Sequence, residues 1–373
     1  MRILHIIPTL RKGGAERLAL DICIELSKRE GIDVALIVLS NENNYPALAD
    51  KAFVKFIPSK VVPSLTGKTV VAINELMNFI HQFKPDIIHS HLFEAEMVSR
   101  YQLIKGIKYF SHCHDNMHQL SPFTFSTLFN KKLLTQYYER IIMLRQYKKC
   151  NNSFVAISRH AEQYFRNVLP GYFSKRIFLL HNAIQLSNFS SALRARNSMP
   201  LRLINIGSFV AKKNQQLLPD VVKYLTENGC DVELTMLGDG PLKNAVTDKV
   251  KSLGLEAKIH LPGNVEDVPA HLAQANIYVH AATYEPFGLV LIEAMAAGLP
   301  VVCLDGGGNR DIMEQNKNGI MVHQQDAKVF AEAILHIANN PTIYNEMSAY
   351  AAQYAARFDI KPYVDRLLEL YRG

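Results

Sequence analysis

The chain has 373 residues, of which 48% are hydrophobic, 20% are charged and none is tryptophan. This length predicts two domains with substantial cores, and the ordinary content of glycine (19) and proline (16) excludes collagen-like, low-complexity and largely disordered chains. The net charge of +7 is uneven: residues 1–200 hold 26 Lys and Arg against 14 Asp and Glu, whereas residues 201–373 hold 15 against 20. The basic first half favours an anionic ligand or surface as its partner.

Cysteine usage and apolar runs indicate the compartment. The 5 cysteines are widely scattered and form no C-x-x-C pair, which predicts reduced thiols in a cytosolic protein. The apolar run after Arg2 stops at Pro8, too short for a signal-peptide core, and no run reaches the roughly 18 apolar residues that a spanning helix needs. We therefore expect a cytoplasmic protein whose membrane contact is at most peripheral, on the inner membrane face.

The first half of the chain alternates short β-branched runs with helical periodicity, which is typical of a parallel sheet built from βαβ units. Its apolar spacing predicts helices over Glu16–Arg29 and Thr69–Phe83. The predicted strands are Ile3–Ile7, Val34–Leu39, Phe53–Ile57, Ile87–Ser90, Lys108–His112, Phe154–Ile157 and Ile177–Leu180.

A polar stretch with little apolar periodicity follows Ile184 and predicts an interdomain linker. The alternation then restarts. The predicted strands are Leu201–Ile206, Val232–Leu237, Ile259–Leu261, Ile277–His280 and Val301–Leu304, and the predicted helices are Gln215–Asn228, Leu242–Leu253, Pro286–Ala297 and Ala327–Asn339. The predicted division is a first domain over 1–185, a linker over 186–200, a second domain over 201–355 and a C-terminal helix within 356–373.

These elements predict an α/β fold of two doubly wound, Rossmann-like domains that face a central cleft. The C-terminal helix has an apolar face within Ile360–Tyr371 and is expected to pack back on the first domain. In doubly wound sheets, ligands bind beyond the carboxyl ends of the strands. The cleft is therefore the expected ligand site.

The segment from Tyr284 to Pro300 carries the clearest chemical signal. A proline suits the first helical position and a glycine the left-handed C-cap, so a helix is predicted to follow Glu285 directly and to end before Gly298. The amides that open this helix would form a phosphate site, and a glycine there lets the phosphate approach the backbone. The residues concerned are Phe287, Gly288 and Leu289.

Two glutamates flank this predicted phosphate site. Glu285 lies at its mouth, where a carboxylate can accept hydrogen bonds from sugar hydroxyls. Glu293 lies among apolar neighbours, where its carboxylate needs a hydroxyl or cationic partner. The alternative is purely structural, with Glu285 stabilising the helix dipole and Glu293 facing solvent.

Further short motifs follow one another along almost the whole chain. Together with Glu285 and Glu293, which are separated by seven residues, these motifs make the chain resemble the retaining glycosyltransferases of family 4, also called glycosyl transferases group 1. The resemblance implies the GT-B fold. The motifs are Gly13-Gly14-Ala15-Glu16, Ile88-His89-Ser90-His91, His114-Asp115, Ala156-Ile157-Ser158, His181-Asn182-Ala183-Ile184, Lys213-Asn214, Gly238-Asp239-Gly240-Pro241, Gly263-Asn264-Val265-Glu266-Asp267-Val268 and Gly306-Gly307.

The resemblance also implies roles for the two glutamates and for three residues of the first half. Glu285 would hold hydroxyls of the transferred sugar, and Glu293 the ribose hydroxyls of the donor. Gly13 and Gly14 would form a backbone loop over the donor diphosphate, although a Gly-Gly pair is also a simple βα turn. His114 would lie near the transferred sugar.

Basic residues after the strand Leu201–Ile206 complete the implied donor site. Lys213 matches the family lysine that offsets the charge of the leaving diphosphate. The family commonly has an arginine where this chain has Ser208, so either Lys212 replaces it or the helix amides carry more of the phosphate binding. Asp311 stands where the family pattern Gly-Gly-x-x-Glu has a glutamate, which puts that contact in doubt.

A cluster of histidines invites a metal-site interpretation, which we do not favour. His112 and His114 are expected to alternate faces of their strand, and no cysteine or carboxylate completes a spacing typical of zinc. Similar retaining transferases need no metal. We therefore expect neither a metal nor a cofactor, with the nucleotide diphosphate sugar as co-substrate.

The predicted activity is retaining transfer of a hexose or related sugar from a nucleotide diphosphate sugar to an acceptor hydroxyl, in bacterial-type surface polysaccharide or glycolipid synthesis. One alternative is a nucleotide-sugar epimerase of the same architecture. Another is an inactive sugar-nucleotide-binding protein, if Ser208 and Asp311 mark a decayed site. A dinucleotide-dependent oxidoreductase is disfavoured because no G-x-G-x-x-G follows a strand.

The basic stretch Lys131–Lys149 bears on the acceptor. Aromatic and aliphatic residues interleave its charges, as an interfacial helix at the cytoplasmic leaflet requires, although a core-packed helix with a basic outer face has the same pattern. We expect a lipid-linked or otherwise anionic acceptor at the membrane surface. No nucleic-acid partner is expected, because no binding motif accompanies the charge, and the oligomeric state stays open.

Overall fold

The computed structural model describes residues 1–65, 67–189 and 200–373. The chain divides into two compact units. The first comprises Met1–Ala183 together with Ile360–Gly373, and the second comprises Ile184–Asp359. Each unit is built on its own parallel sheet, as the sequence predicts. The predicted α/β fold of two Rossmann-like halves is therefore confirmed.

The first unit contains seven parallel strands in the order β3-β2-β1-β6-β7-β8-β9, and a separate antiparallel pair β4-β5. Its strands are β1 (Arg2–Ile7), β2 (Asp33–Val38), β3 (Val54–Phe56), β4 (Lys60–Val62), β5 (Val70–Ala72), β6 (Ile87–His91), β7 (Lys108–Cys113), β8 (Ser153–Ala156) and β9 (Ile177–Leu179). Its first six helices are α1 (Gly14–Leu26), α2 (Pro46–Ala49), α3 (Asn74–Phe83), α4 (Leu92–Ser99), α5 (Lys131–Lys149) and α6 (Arg159–Val168).

The second unit contains six parallel strands in the order β12-β11-β10-β13-β14-β15. Its strands are β10 (Leu201–Ile206), β11 (Val232–Leu237), β12 (Ile259–Gly263), β13 (Ile277–His280), β14 (Val301–Leu304) and β15 (Gly319–Val322). Its helices are α7 (Leu218–Glu227), α8 (Lys243–Ser252), α9 (Val268–Leu272), α10 (Leu289–Ala296), α11 (Ala327–Ala338) and α12 (Pro341–Ala355). Short 3-10 helices include Phe125–Phe129, Ala211–Lys213 and Gly308–Asp311.

The last helix, α13 (Ile360–Arg372), belongs to the first unit. Its apolar face packs into the core of that unit, where Leu367 and Tyr371 are almost completely buried. Polar contacts fix it near both ends: Arg29 donates to the carbonyl oxygen of Lys361 at 3.2 Å, and Lys108 donates to the carbonyl oxygen of Tyr371 at 3.0 Å. The predicted return of the C-terminal helix to the first domain is thus confirmed.

The segment Thr69–Phe83 is not the single helix that its apolar spacing predicts. Val70–Ala72 forms β5, which pairs with Lys60–Val62, and the helix begins only at Asn74. β-branched side chains favour an extended backbone and lose rotamer freedom in a helix. The two consecutive valines therefore form a strand, although the spacing of apolar residues over the longer segment is helical.

A buried arginine connects four elements of the first unit. The Arg100 guanidinium donates to Asn152 at 2.7 Å, to Ser90 at 2.9 Å and to the carbonyl oxygen of Phe110 at 2.9 Å. Glu96 accepts a hydrogen bond from Ser111 at 2.9 Å in the same network, and burial raises the pKa of its carboxyl. A charge in the interior is tolerated only when its hydrogen bonds are made, as those of the Arg100 guanidinium are.

The predicted linker falls largely on residues 190–199, which lie outside the described residues. The second unit takes in residues 356–359, which the sequence-based division assigns to the C-terminal segment. Among the described helices, none combines the length and the apolar content that crossing a bilayer requires.

Candidate functional site

The loop between β13 and α10 holds Glu285 in place through its backbone. The Glu285 amide donates to the Gly306 carbonyl oxygen at 2.8 Å, and the Gly308 amide donates to the Glu285 carbonyl oxygen at 2.9 Å. A Cβ on Gly306 would lie 2.8 Å from the Glu285 Cβ, and a Cβ on Gly308 would lie 1.9 Å from the carbonyl oxygen of Pro286. The glycine run therefore lets two backbone segments meet at this glutamate.

The Glu285 side chain is buried and has two partners. Lys213 Nζ donates to Oε2 at 2.5 Å, and His280 Nε2 lies 2.9 Å from the same oxygen. Burial opposes ionisation, but the Lys213 ammonium and the His280 hydrogen bond outweigh it and hold the pKa of Glu285 well below its usual range. Among the described residues, none hydrogen-bonds to Oε1. An ionised carboxylate with one uncommitted oxygen is thus available to a ligand.

His280, which none of the sequence motifs includes, is a further member of this buried group. It ends β13 and is almost completely buried. Burial lowers its pKa, so the ring is neutral at pH 7 and Nε2 donates to Glu285 while Nδ1 faces the Tyr278 hydroxyl at 3.4 Å. The available signal was a histidine at the carboxyl end of a predicted strand, five residues before Glu285.

The helix after Glu285 begins later than predicted. It starts at Leu289, because Gly288 adopts a left-handed φ of 106° and acts as its N-cap. Phe287 is therefore not helical; its ring is buried and lies 5.9 Å from that of Phe358. Of the three amides assigned to a phosphate site, only that of Leu289 belongs to the first helical turn.

Glu293 lies one turn into α10 and is half-buried. Burial raises the pKa of the nearby Tyr278 phenol, and the negative charges of Glu285 and Glu293 raise it further. The predicted C-cap of the helix is confirmed: Gly298 follows its last turn with a left-handed φ of 78°.

The 3-10 helix Ala211–Lys213 directs two neighbouring lysines to different sides. Lys213 reaches Glu285, whereas Lys212 is exposed and its ammonium lies 5.3 Å from the centre of the Tyr284 ring. The Lys212 carbonyl oxygen accepts a hydrogen bond from the Thr283 amide at 3.0 Å, which ties this turn to the loop before Glu285. Ser208 is exposed and lies two residues after the end of β10.

The region after β14 is organised by Asn309 rather than by Asp311. The buried Asn309 side chain donates to the Leu304 carbonyl oxygen at 2.8 Å and accepts from the Gly306 amide at 2.9 Å. Asp311 is half-buried in the 3-10 helix Gly308–Asp311. The polar contacts that shape the glycine run thus come from Asn309, to which the sequence assigned no role.

In the first unit, Gly13 and Gly14 open α1. Gly14 begins the helix and Gly13 is its extended N-cap, whose amide donates to the Tyr45 hydroxyl at 3.0 Å. That hydroxyl donates in turn to the Gly13 carbonyl oxygen at 3.2 Å. The pair therefore forms a βα turn, which the hydroxyl of Tyr45, the N-cap residue of α2, holds in place. The donor-binding role of the two glycines stays a prediction.

Five buried histidines form a continuous stack on one face of the first sheet, which we call the histidine stack: His5, His89, His91, His112 and His114. The expectation that His112 and His114 alternate faces is wrong. Residues two apart in an extended chain share a face, and these rings are parallel with centroids 4.2 Å apart. His5 pairs in register with His89, and His91 pairs with His112, so three neighbouring strands bring the rings together.

Hydrogen bonds connect part of the histidine stack. His114 Nε2 lies 2.8 Å from His91 Nδ1, and His91 Nε2 lies 2.8 Å from His5 Nδ1. Burial lowers the pKa of every member, that of His5 to about 3 and that of His112 to about 4, and neighbouring rings lower it further for the other four histidines. All five imidazoles are therefore neutral at pH 7.

Three of these rings offer nitrogens within 4.8 Å of one another: those of His89, His91 and His112. Their donor set of neutral imidazoles suits zinc or another transition metal. The expectation that this chain uses no metal therefore stays a prediction, to be tested by chelation.

Comparison with known proteins agrees with this architecture. The family model described as Glycosyltransferase Family 4 matches residues 12–188, and the model described as glycosyl transferases group 1 matches residues 190–355. The chain belongs to this family of glycosyltransferases.

Two curated relatives act on undecaprenyl-linked sugars. The UDP-Gal:alpha-D-GlcNAc-diphosphoundecaprenol alpha-1,3-galactosyltransferase of Escherichia coli is 22% identical over 100% of this chain and 96% of its own length. The N-acetylgalactosamine-N,N'-diacetylbacillosaminyl-diphospho-undecaprenol 4-alpha-N-acetylgalactosaminyltransferase of Campylobacter jejuni is 26% identical, with the alignment spanning 50% of each chain. Among solved structures, Anabaena HepE in complex with UDP and glucose shares the fold, with a TM-score of 0.80, 18% identity and 100% coverage of both chains.

Proposed function

We propose that this glycosyltransferase moves a sugar from a nucleotide diphosphate sugar to an acceptor hydroxyl with retention at the anomeric carbon and without a metal ion. The observation that carries the proposal is the state of Glu285: buried, ionised, and with Oε1 left to accept hydrogen bonds from sugar hydroxyls. The names of the relatives, and the UDP and glucose bound to HepE, support this class of donor.

Lys213 has the second role in the proposed reaction. Its ammonium pairs with the Glu285 carboxylate and stabilises the negative charge that grows on the leaving diphosphate. The bond between the anomeric carbon and the diphosphate oxygen breaks, the acceptor oxygen bonds to the same face of that carbon, and the acceptor proton passes to the departing oxygen. The Leu289 amide and the Lys212 ammonium supply further positive potential for the diphosphate.

Replacement of the carboxylate tests this assignment. Glu285→Gln should lower kcat/KM for transfer by about 10²–10³-fold, because the amide carries no charge to place in the transition state. Glu256→Gln, at an exposed position of the same unit, is the matched control and should leave the rate unchanged. Equal activity of the two variants would contradict the role of Glu285.

Product analysis tests the stereochemistry and the metal independence. NMR of the first product formed should show the anomeric configuration of the donor, and an inverted product would overturn retention. Activity should persist in EDTA; loss restored by a divalent ion would show that the chemistry needs a metal. Formation of an isomerised nucleotide sugar from donor alone would identify an epimerase instead.

For the acceptor we propose a polyprenyl-diphosphate-linked saccharide reached from the cytoplasmic membrane surface. The undecaprenyl acceptors named for the relatives support this class, and so does an exposed aromatic and basic surface around the start of α5. Phe125 and Phe129 are 76% and 78% exposed, with their rings 5.2 Å apart, and the exposed Lys131 and Lys132 follow directly. Apolar anchors beside cations suit an anionic bilayer.

The proposed interface lies around the start of α5 and not along the whole of Lys131–Lys149. Tyr147 and Met143 of α5 are completely buried, so the second half of that helix packs into the core as its alternative interpretation predicted. Flotation with vesicles containing phosphatidylglycerol should retain the wild-type chain and lose a Phe125→Ser/Phe129→Ser variant. Phe53→Ser, which removes a 57% exposed phenylalanine beside the edge strand β3, is the control and should still float. Unchanged flotation of the double variant would refute this surface.

A further inference from the structure

A cavity of about 240 Å³ lies in the first unit, between the antiparallel pair β4-β5, the end of α4 and one side of α5. We call it the hairpin cavity. Its lining is mostly apolar and contains neither a carboxylate nor a lysine. The residues that line it include Val61, Pro63, Met97, Tyr138, Ile142 and Met143.

The one charged group in this lining is already bound by the protein. The Arg100 guanidinium is completely buried, and its three nitrogens donate to five acceptors in the interior of the first unit. A guanidinium has only five N–H groups, so none is left for a ligand. The hairpin cavity therefore suits an apolar group and not an anion.

Two groups of exposed apolar side chains belong to the elements around the hairpin cavity. Among the described residues, every large hydrophobic side chain that is exposed lies in the first unit. One group is the aromatic surface at the start of α5, with Phe125 and Phe129. The other consists of Val62, Leu65, Val70, Val71 and Tyr101, which are 40–51% exposed. Exposed apolar surface of this extent is typical of a binding site for a partner or a lipid.

One side of α5 connects its aromatic start with the hairpin cavity. Leu134, Tyr138 and Ile142 are spaced by four residues, so they lie on the same side of the helix, over about 12 Å of its axis. Leu134 is exposed, whereas Tyr138 and Ile142 are half-buried and line the cavity. An apolar path therefore runs along one helix from the proposed membrane surface to the hairpin cavity.

Charge and size select the kind of occupant. Exposed lysines accompany both apolar groups: Lys60 and Lys68 at the pair β4-β5, and Lys131 and Lys132 at α5. Cations beside apolar anchors suit an anionic lipid surface. The cavity is smaller than the roughly 300–1,000 Å³ that encloses a whole drug-sized ligand, so it takes a segment of a longer molecule. An apolar chain whose anionic headgroup stays outside fits both observations.

We propose that the hairpin cavity binds a segment of the polyprenyl chain of the acceptor, while the diphosphate and its saccharide stay outside the cavity in water. Each methylene group of the chain that the cavity shields from water favours binding by about fourfold. This inference rests on the proposed function, in which the acceptor is a polyprenyl-diphosphate-linked saccharide.

The absence of tryptophan from the chain provides a direct test. Tyr138→Trp places a single indole at the hairpin cavity, and Tyr172→Trp, at a 58% exposed position outside the lining, is the matched control. Farnesyl diphosphate, a short polyprenyl diphosphate, should shift the emission of Tyr138→Trp saturably to shorter wavelength and leave that of Tyr172→Trp unchanged. Inorganic diphosphate should shift neither. The same shift in both variants, or none in Tyr138→Trp, would refute the proposal.

Equilibrium dialysis with labelled farnesyl diphosphate measures binding to the wild-type chain without an added indole. Thr69→Tyr fills the cavity from the segment before β5 and should raise Kd about tenfold or more, the effect of excluding about two methylene groups. Val71→Tyr adds the same side chain at a 40% exposed position outside the lining and should leave Kd unchanged. No saturable binding to the wild-type chain, or equal Kd values for the three proteins, would overturn the proposal.

Two further measurements test other occupants. Dodecyl phosphate has an unbranched chain like that of a phospholipid and should bind more weakly than farnesyl diphosphate; equal or tighter binding would contradict a polyprenyl chain as the occupant. Emission of Tyr138→Trp that shifts with protein concentration alone would show that a second copy of the chain covers the cavity, and it would equally overturn the proposal.

Failure of this inference is distinguishable from failure of the proposed function, because the binding measurements require no transfer. If Glu285→Gln abolishes transfer while farnesyl diphosphate does not bind, only the assignment of the hairpin cavity is wrong. If farnesyl diphosphate binds there while Glu285→Gln keeps the full transfer rate, the assignment of Glu285 is wrong and the hairpin cavity stands.

Discussion

Substitution of Lys213 by methionine should expose the electrostatics of the candidate site. Lys213→Met keeps a long apolar side chain but removes the cation that pairs with Glu285, and the two side chains are only 18% and 8% exposed. Removing one partner of a pair buried to this degree leaves an uncompensated charge, which costs about 3 kcal/mol. The free energy of unfolding at pH 7 should fall by that amount, measured by urea titration with circular dichroism.

A second ion pair of this unit provides the comparison. Lys249 and Asp220 are also 2.5 Å apart, but their side chains are 32% and 40% exposed. Water screens such a pair, so Lys249→Met should cost less than about 1 kcal/mol. The double variant Lys213→Met/Glu285→Gln should regain most of the stability lost in Lys213→Met, because no charge is then left buried.

The pH dependence of this loss has a definite sign. In the wild-type chain the pKa of Glu285 lies below its unfolded value, so its contribution to stability is present above about pH 4.3 and is lost as the pH falls further. Without Lys213, burial dominates and raises the pKa, so protonation relieves the folded state. The difference between the two proteins should shrink from pH 7 toward pH 4. A difference that is constant with pH, or no larger than that of Lys249→Met, would refute the reasoning.

Three further outcomes follow from the described contacts. Gly308→Ala should destabilise the fold by about 3 kcal/mol, because its Cβ would collide with the carbonyl oxygen of Pro286, whereas Gly171→Ala, with open space around it, should be neutral in thermal denaturation. Arg100→Met should cost about 3–5 kcal/mol in urea titration, because the buried oxygens of Asn152, Ser90 and Phe110 lose their donor and Glu96 loses a nearby positive charge. Arg100→Met/Glu96→Gln should recover part of this loss. Below about pH 6.5 the histidines bind protons in the unfolded chain, whereas those of the histidine stack stay neutral in the folded chain. The free energy of unfolding should therefore fall as the pH is lowered from about 6.5 toward 3, by up to about 1.4 kcal/mol per histidine and pH unit. A free energy of unfolding that does not change over this range would contradict the neutral stack.

The periodicity of apolar residues and the residues typical of turns were enough to predict most strands of the two parallel sheets. The strand from Arg2 to Ile7, its neighbours and the helix Gly14–Leu26 lie within one to three residues of their predicted bounds, because a buried parallel strand and an amphipathic helix are each specified by local patterns. Helix α10 begins three residues later than predicted. Pro286 suits a first helical position, but Gly288, two residues later, has a left-handed backbone and precedes the helix instead. The tertiary contacts of Gly308 with this segment decide between the two starts.

The sequence by itself determined the class of protein, through the order of its short motifs and the spacing of Glu285 and Glu293. Only the tertiary structure showed that Lys213 pairs with Glu285 from 72 residues away, that His280 completes this group, and that the histidines of three strands form one stack. The reason is that strand order and register bring distant residues together, and neither is encoded in a local pattern. Burial then sets the charge of each group, and burial is a property of the folded chain alone.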